Sequence, residues 1–357
     1  MRELQRGQLE SLLRLLQADG RQLIGPTARD GSIVLEPIHG VADLPKGLTL
    51  RQAPGSVRLE ARDDDALFGF TVGPDAAKRW LFPPRVELWR ARQAETLTFD
   101  DRPAPHAPLA LLGLRACDTA AIAIQDRVLL QSDFADPTYA SRRADLLLVA
   151  VQCATASPTC FCTSMGTGPR VTSGFDLCLT EHVDGPFVIE VGSEAGQRLV
   201  DQLPTRPASD PEAPERAAAA ARQGQRVMPS DVREQLLGAL QGPHWDDVAT
   251  RCLGCANCTL VCPTCFCTTV DDVTELSGDA VHTRRWDSCF DPAFSDVHGH
   301  AVREGVGDRY RQWLTHKLAT WHDQFGTSGC VGCGRCIGWC PAGIDIVAEA
   351  IAAGASS

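Results

Sequence analysis

Eight of the sixteen cysteines stand in two runs that share one spacing. The runs are Arg251–Pro263, RCLGCANCTLVCP, and Gly329–Pro341, GCVGCGRCIGWCP. Each reads Cys-x2-Cys-x2-Cys-x3-Cys-Pro. In proteins that hold two [4Fe–4S] clusters, three thiolates of such a run bind one cluster and the fourth crosses to the other. Glycines at 254, 332 and 334 favour the tight loops that this wrapping needs.

Crossed ligation predicts two ligand sets. Set 1 is Cys252, Cys255, Cys258 and Cys340. Set 2 is Cys330, Cys333, Cys336 and Cys262. Structural zinc is the competing interpretation, but zinc needs two Cys-x2-Cys pairs, whereas each run here supplies four cysteines followed by proline. The spacing therefore favours two [4Fe–4S] clusters.

A third set of thiols lies earlier in the chain. The segment PTCFCT occurs twice, at 158–163 and at 263–268. The cysteines of the first copy join two others to give the four thiols that a third [4Fe–4S] cluster requires, and we name them set 3: Cys117, Cys153, Cys160 and Cys162. If one thiol were displaced, Asp118 would offer an oxygen ligand. The alternative is a group of buried, inert cysteines, because free cysteine is among the most buried residue types.

Three further cysteines, Cys265, Cys267 and Cys289, are one short of a complete ligand set. They are compatible with capping of the two-cluster region, with a fourth cofactor that uses a non-cysteine ligand, or with packing. We favour packing or a supporting role. Cys178 stands where an apolar strand residue would serve equally well, so we predict that it is a core residue.

Composition restricts the function classes. The 357 residues are 44% hydrophobic and 22% charged, which describes an ordinary folded protein of more than one domain. A formal net charge of -11 and the lack of a basic run disfavour a nucleic-acid partner. The apolar runs are too short to cross a bilayer, so we expect no direct membrane insertion. Closely spaced cysteines indicate metal binding in a reducing cytoplasm.

The elements that must position these cysteines are strands and helices in alternation. Buried strands are predicted at 109–114 and 146–151, with a helix beginning near Asp118 between them, and a further strand is predicted at 186–191. Cys117 and Cys153 follow two of these strands, at the carboxyl ends where open α/β sheets commonly bind ligands. A helix at 3–16 and a short strand at 32–35 are also predicted.

The fold class is α+β. We predict an N-terminal α/β domain at 1–202 with the third iron–sulfur site, a linker at 203–231, and a mainly helical ferredoxin-like domain with two clusters at 232–357. The linker is rich in Pro, Ala, Arg and Glu and includes a solvated helix at 214–223. The long insert between the two cysteine runs includes a helix at 308–321.

Motifs for other chemistry are not found in the sequence. SMGTGPR lacks the third glycine of a dinucleotide fingerprint, and no phosphate-binding Gly-x4-Gly-Lys loop occurs. No serine–histidine–acid or paired-carboxylate arrangement stands out. We therefore predict no catalytic residues and no flavin or nicotinamide site on this chain. Its expected role is single-electron transfer.

Six segments together resemble one family. They are LGLRACDTAAI, VQCATASPTCFCTSMGTGP, GFDLCLTE, CLGCANCTLVCPTCFC, RRWDSCF and GCVGCGRCIGWCPAGIDI, between Leu109 and Asp345. In this order they resemble the iron–sulfur beta subunit of cytoplasmic NAD(P)-linked [NiFe]-hydrogenases, also called sulfhydrogenases. The electron-transfer subunit of anaerobic sulfite reductase is similar to the same pattern.

The resemblance implies partners that composition does not. It implies a gamma subunit that binds FAD and NAD(P), and a hydrogenase module of small (delta) and large (alpha) subunits. The chain would relay electrons between them within a hetero-oligomer. The alternative that the resemblance leaves open is an electron-transfer subunit of an anaerobic sulfite or polysulfide reductase. NAD versus NADP, the cluster potentials and the physiological direction also stay open.

Overall fold

The computed structural model describes residues 1–93, 96–101, 106–222 and 224–355. Helices and strands are mixed, as the α+β prediction requires. The strands are β1 (Arg2–Leu4), β2 (Gln22–Arg29), β3 (Ser32–Pro37), β4 (Leu48–Ala53), β5 (Ser56–Ala61), β6 (Arg85–Gln93), β7 (Leu97–Asp100), β8 (Leu109–Leu114), β9 (Leu147–Val151), β10 (Leu177–Glu181), β11 (Phe187–Val191), β12 (Arg206–Pro207), β13 (Thr268–Thr274), β14 (Ala280–Trp286), β15 (Asp296–Val297) and β16 (His300–Ala301). The α-helices are α1 (Leu9–Leu16), α2 (Lys78–Leu81), α3 (Ala116–Leu130), α4 (Pro137–Ala144), α5 (Glu194–Val200), α6 (Ala213–Ala221), α7 (Val232–Gly238), α8 (His244–Arg251), α9 (Asn257–Leu260), α10 (Val306–Thr315), α11 (Trp321–Phe325), α12 (Arg335–Gly338) and α13 (Ile346–Ala355).

The central sheet has the order β12-β1-β11-β10-β9-β8-β2-β3. Its middle strands β2, β8, β9 and β10 run parallel, and the outer strands pair antiparallel. Every residue of β8 is buried, which explains its unbroken apolar sequence, because a strand covered on both faces has no polar side. The predicted strand at 109–114 is confirmed.

Helices cover both faces of this sheet. On one face, α1 contributes Leu9, Leu12, Leu13 and Leu16, whose spacing puts all four on one side of the helix. On the other face, α3 packs through Ile122, Ile124 and Val128. This second layer also contains Val331 and Cys333 of the second cysteine run. Part of the second cysteine run therefore packs against the predicted β–α–β unit.

Three predicted helix boundaries differ from the structure. The helix predicted at 3–16 begins at Leu9, because Arg2–Leu4 pairs with β11 as a strand. The helix predicted from Asp118 begins two residues earlier, at Ala116, because the Asp118 carboxylate accepts the Arg115 backbone N–H and caps the first turn. The helix predicted at 308–321 is α10, followed by a π-helical turn at His316–Thr320 and then α11.

A second sheet joins distant parts of the chain. Its order is β13-β14-β6-β7, and β6 from the N-terminal half pairs antiparallel with β14. The region after residue 231, predicted to be mainly helical, thus contributes a hairpin to a sheet that it shares with the first hundred residues. Among the described residues, no helix is both long and apolar enough to cross a lipid bilayer.

The segment predicted as a linker, 203–231, packs against both halves of the chain. Its strand β12 pairs with β1. The helix predicted as solvated is α6, and it buries Ala213, Ala218 and Ala221. Small alanine side chains let a helix pack closely against neighbouring elements. This explains why the alanine-rich helix α6 is partly buried although it was predicted to be solvated. After α6, the Arg226 backbone N–H donates to the Cys160 carbonyl, at 2.9 Å.

The second cysteine run touches the first PTCFCT copy backbone to backbone. The Phe161 N–H donates to the Gly332 carbonyl at 2.8 Å. A Cβ placed on Gly332 would lie 2.6 Å from the Phe161 carbonyl carbon and 2.6 Å from the Cys162 nitrogen. A Cβ on Gly334 would lie 2.5 Å from the Thr159 oxygen. Both glycines also have a positive φ, which other residues rarely adopt. Glycine is therefore needed at both positions for its backbone conformation and for its lack of a side chain.

We expect Gly332→Ala to destabilise the protein more than Gly166→Ala does. Gly166 has a similar positive φ of 67° but open space around a Cβ, so its substitution reports conformational strain alone, about 1–2 kcal/mol. Gly332→Ala adds the overlap with Phe161 and Cys162. Thermal unfolding at one scan rate compares the two variants. Equal midpoints would show that the close contact contributes nothing.

Candidate iron–sulfur centre

The thiols of set 1 face one pocket. Cys252 follows α8, Cys258 lies in α9, and Cys340 comes from the second run, two residues after α12. These three and Cys255 line a pocket together with Phe290, Tyr310 and Trp313, and Cys336 of set 2 lines it as well. Cys255 is exposed, so this pocket reaches the surface. The structure thus brings Cys340 to the thiols of the other run.

The two cysteine runs have matching backbone conformations. Gly254 and Ala256 have φ of 62° and 65°, and Gly332 and Gly334 have φ of 64° and 74° at the equivalent positions. The left-handed conformation at alternate residues curls each loop so that its thiols point inward. The Asn257 side-chain amide donates to the Trp339 carbonyl at 2.9 Å and ties the two loops together.

Set 2 includes a thiol with a buried cationic neighbour. The Lys317 ammonium donates to the Cys262 sulfur at 3.4 Å, to the Thr264 hydroxyl at 3.3 Å and to the Gly329 carbonyl at 3.2 Å. A hydrogen bond from Cys265, reinforced by Lys317 and Thr264, lowers the pKa of Cys262 well below its usual value. Burial raises the pKa of Cys330 to about 12. The Cys265 thiol and Lys317 together therefore favour the thiolate form of Cys262.

Set 3 is assembled at the carboxyl ends of β8 and β9. Cys117 lies in the first turn of α3 and Cys153 follows β9, while the PTCFCT turn supplies Cys160 and Cys162. The pKa of each thiol is raised by burial, to about 12 at Cys162. Cys117, Cys160 and Cys162 all lie within electrostatic range of Cys153, so the four thiols share one neighbourhood.

A buried ion pair joins set 2 to set 3. Arg335, between two cysteines of set 2, donates to the Asp118 carboxylate at 2.8 Å, and both side chains are under 5% exposed. Arg335 also donates to the carbonyls of Gly73 and Asp75. Asp118, considered from sequence as an oxygen ligand, has one oxygen bonded to Arg335 and the other to the Arg115 N–H. Its geometry favours a positioning role instead.

The three ligand sets lie next to one another in space, in the order set 1, set 2, set 3. Cys336 of set 2 lines the pocket of set 1 together with Cys258. Cys333 of set 2 lies in the same buried cluster as Cys117 of set 3. The Cys160 thiol also lies 3.8 Å from the Cys333 carbonyl oxygen. Set 2 therefore lies between the other two.

Comparisons with known proteins identify the family to which the chain belongs. A family model described as a 4Fe-4S dicluster domain matches residues 251–344. The chain is also 33% identical, over 279 residues, to the sulfhydrogenase 2 subunit beta of Pyrococcus furiosus, which covers 76% of this chain and 80% of that protein. This chain belongs to the sulfhydrogenase beta-subunit family. No solved structure matches the chain. The family resemblance drawn from the motifs is confirmed, and the chain is an iron–sulfur subunit.

The pocket of this beta subunit offers donors that suit an iron–sulfur cluster. The Tyr310 hydroxyl and the Trp313 indole N–H are buried and have no hydrogen-bond partner among the residues described. Both residues line the pocket of set 1. Cluster sulfurs accept hydrogen bonds, and such bonds tune the reduction potential. Buried donors that face a ring of thiols therefore fit a [4Fe–4S] cluster.

The spacing of the thiols also helps to distinguish a single metal ion from a four-iron cluster. Within the described ranges, no three Cys, His, Asp or Glu side chains converge closely enough to hold a single metal ion. Each thiolate of a cubane binds a different iron, so the ligands stand further apart than they do round one zinc ion. Metal ligands must be thiolates, so the raised thiol pKa values mean that deprotonation accompanies cluster binding.

Several functional residues of this beta subunit were not found from sequence. Gln225, in the predicted linker, accepts from the Cys162 thiol at 3.6 Å and from the Thr163 N–H at 3.2 Å, and so covers set 3. Lys317 and Lys78 are buried beside thiols, although nothing in their local sequence indicates it. The importance of Arg335 could have been inferred from sequence. It lies inside a cysteine run, where a cation is placed next to the cluster ligands.

We expect Arg335→Met to destabilise this beta subunit by about 3–5 kcal/mol, because it leaves the Asp118 charge buried without a partner. Arg14→Met is the control. It breaks an exposed pair with Glu10 at 3.6 Å, which is worth about 1 kcal/mol at most. Apparent thermal midpoints under anaerobic conditions compare the two variants. Adding Asp118→Asn to Arg335→Met should restore part of the loss. No recovery would show that the ion pair is not the cause.

Proposed function

We propose that this chain is the electron-transfer subunit of an NAD(P)-linked [NiFe]-hydrogenase complex. It would relay single electrons between a flavin- and NAD(P)-binding gamma subunit and a hydrogenase module of small (delta) and large (alpha) subunits. The observation that carries the proposal is the continuous order of the three thiol sets, each beside the next. Membership of the sulfhydrogenase beta-subunit family supports the choice of partners.

The chemistry that bound [4Fe–4S] clusters supply is reversible uptake of one electron each. The chain itself would hold and insulate them. Phe290, Tyr310 and Trp313 pack against one another with ring centroids 5.3–6.1 Å apart and form the buried side of the set 1 pocket. Lys317 favours the thiolate at Cys262, and Arg335 fixes the second run against α3. No acid–base residue is needed for this role.

Each end of the order would meet a partner. Cys255 is exposed, and so is Leu253, two residues earlier, which is 68% exposed, so set 1 opens to the surface beside an apolar side chain. Set 3 lies at the other end of the order of ligand sets, where the Gln225 side chain contacts Cys162. We propose that residues 232–357 carry the two ferredoxin-type clusters and that residues 1–202 carry most of the support for the third. We also propose a cytoplasmic location, because a reducing compartment keeps thiols available for iron.

Iron and acid-labile sulfide, measured per chain on the anaerobically purified full chain, test the third cluster. We expect Cys153→Ala/Cys160→Ala to lose about four irons relative to the wild type, together with one electron paramagnetic resonance signal of the reduced protein. Cys178→Ala is the control, because Cys178 is buried in β10 among Ala116, Ala150 and Val171. Unchanged iron in the double variant would limit the relay to sets 1 and 2.

Crossed ligation predicts the reactivity of Cys255, the exposed thiol of set 1. In Cys340→Ala, set 1 loses a ligand, so Cys255 should become open to alkylation in the native protein. In Cys262→Ala, set 2 is damaged instead and Cys255 should stay protected. Mass spectrometry of the alkylated peptides distinguishes the two cases. Protection in Cys340→Ala with reactivity in Cys262→Ala would overturn the assignment of the fourth ligands.

A further inference from the structure

Lysine is rare in this chain, and most of it is buried. Of the 34 lysine and arginine residues, only Lys46, Lys78 and Lys317 are lysines. Lys46 is exposed, whereas Lys78 is 6% exposed and Lys317 is 3% exposed. A lysine is seldom fully buried unless a partner balances its charge. Lys317 contacts a ligand thiol directly, so its partner is to be sought at set 2.

A π-helical turn places Lys317 between the two cysteine runs. The turn, His316–Thr320, joins α10 to α11. Helical turns of this wider kind are rare and frequently occur at functional sites. The Lys317 carbonyl accepts the Gly329 N–H at 2.8 Å, and the Lys317 ammonium donates to the Gly329 carbonyl at 3.2 Å. Backbone and side chain together therefore fix Lys317 at the first residue of the second run.

The side-chain contacts of Lys317 are those of a charged ammonium. Its three N–H groups have three acceptors at 3.2–3.4 Å, the Gly329 carbonyl, the Thr264 hydroxyl and the Cys262 sulfur. A neutral amine has too few N–H groups to donate all three bonds. Within the part of the chain that the structure describes, no carboxylate forms a salt bridge with Lys317. The negative charge that a buried ammonium needs must therefore come from the sulfur side.

Two other ligand sulfurs accept hydrogen bonds from neutral groups. The Gly332 N–H donates to the Cys330 sulfur and the Ile344 N–H donates to the Cys340 sulfur, each at 3.4 Å. Lys317 differs from these backbone donors because it brings a full positive charge to the sulfur that it contacts. Set 2 therefore has a charged donor in addition to its backbone donor.

A fixed positive charge beside a ligand sulfur changes the energy of reduction. A cubane bound by four thiolates is anionic, and uptake of an electron adds a further negative charge. The ammonium therefore stabilises the reduced form more than the oxidised form, and burial leaves little solvent to screen the effect. Net charge and hydrogen bonds to sulfur both set the potentials of such clusters. Arg335 also lies beside set 2, but its charge is paired with that of Asp118.

We propose that Lys317 raises the reduction potential of the cluster held by set 2. This inference rests on the proposed relay and favours set 2, which lies between the other two sets, as the place where an electron rests. In each transfer one electron leaves a neighbouring cluster, which is oxidised, and enters the cluster of set 2, which is reduced. No proton moves in this step, because Lys317 stays protonated throughout.

A redox titration of the anaerobically purified full chain, followed by electron paramagnetic resonance, tests the role of Lys317. In Lys317→Met, the midpoint of one signal should move to a more negative potential. At the potential where half of that cluster is reduced in the wild type, the ratio of reduced to oxidised cluster should be about tenfold lower, the loss expected for one charge-assisted hydrogen bond. The signal is that of set 2 if Cys262→Ala alters it. Lys46→Met removes an exposed lysine and should change no midpoint.

The possible outcomes separate this proposal from the relay. An unchanged midpoint in Lys317→Met with full iron content would reject the role of Lys317 and leave the relay standing. A wild-type protein without any cluster signal would reject the relay and this inference with it. If Lys317→Met loses iron, Lys317→Gln is titrated in its place, because it keeps a hydrogen-bond donor without the charge. Loss of iron in both variants would show that Lys317 only holds the ligand loops together, and the effect on potential would be rejected.

Discussion

The close approach of two backbones is the constraint on which the rest of the protein depends. Gly332 and Gly334 allow the second cysteine run to lie directly on the turn that contains Cys160 and Cys162. Any side chain there would separate set 2 from set 3. The Arg335–Asp118 pair then fixes the direction of the contact, because it joins the same run to the first turn of α3. Two loops far apart in sequence thus become one rigid support.

Sequence spacing predicted the parts of this protein that depend on local chemistry. Cysteines at fixed intervals identify ligand loops without any knowledge of the fold, and the all-apolar strand at 109–114 needs only its own residues to be recognised. Boundaries set by distant partners were missed. Arg2–Leu4 becomes a strand because β11 offers it an edge, and the alanine-rich helix α6 is buried because the sheet and the turns around it leave room for it.

Electrostatics was the least predictable part of the site. The chain has a net charge of -11, yet the groups nearest to several thiols are buried cations. Lys78, Lys317 and Arg335 come from a short helix, a π-helical turn and a cysteine run, so only the folded arrangement shows that they act on thiols. The overall charge therefore does not predict the surroundings of set 2, where buried cations lie beside the thiols.

The sheet shared by β6 and β14 affects how the protein is made. During synthesis, β6 leaves the ribosome long before β14, and the edge of β6 that β14 will cover must be kept from pairing with other chains. Cys117 and Cys153 are likewise made well before the run around Gly332 that packs against their set. On an unfinished chain, set 3 would have all four of its thiols but not the run around Gly332 that packs against them. Covering of set 3 therefore requires the C-terminal part of the polypeptide.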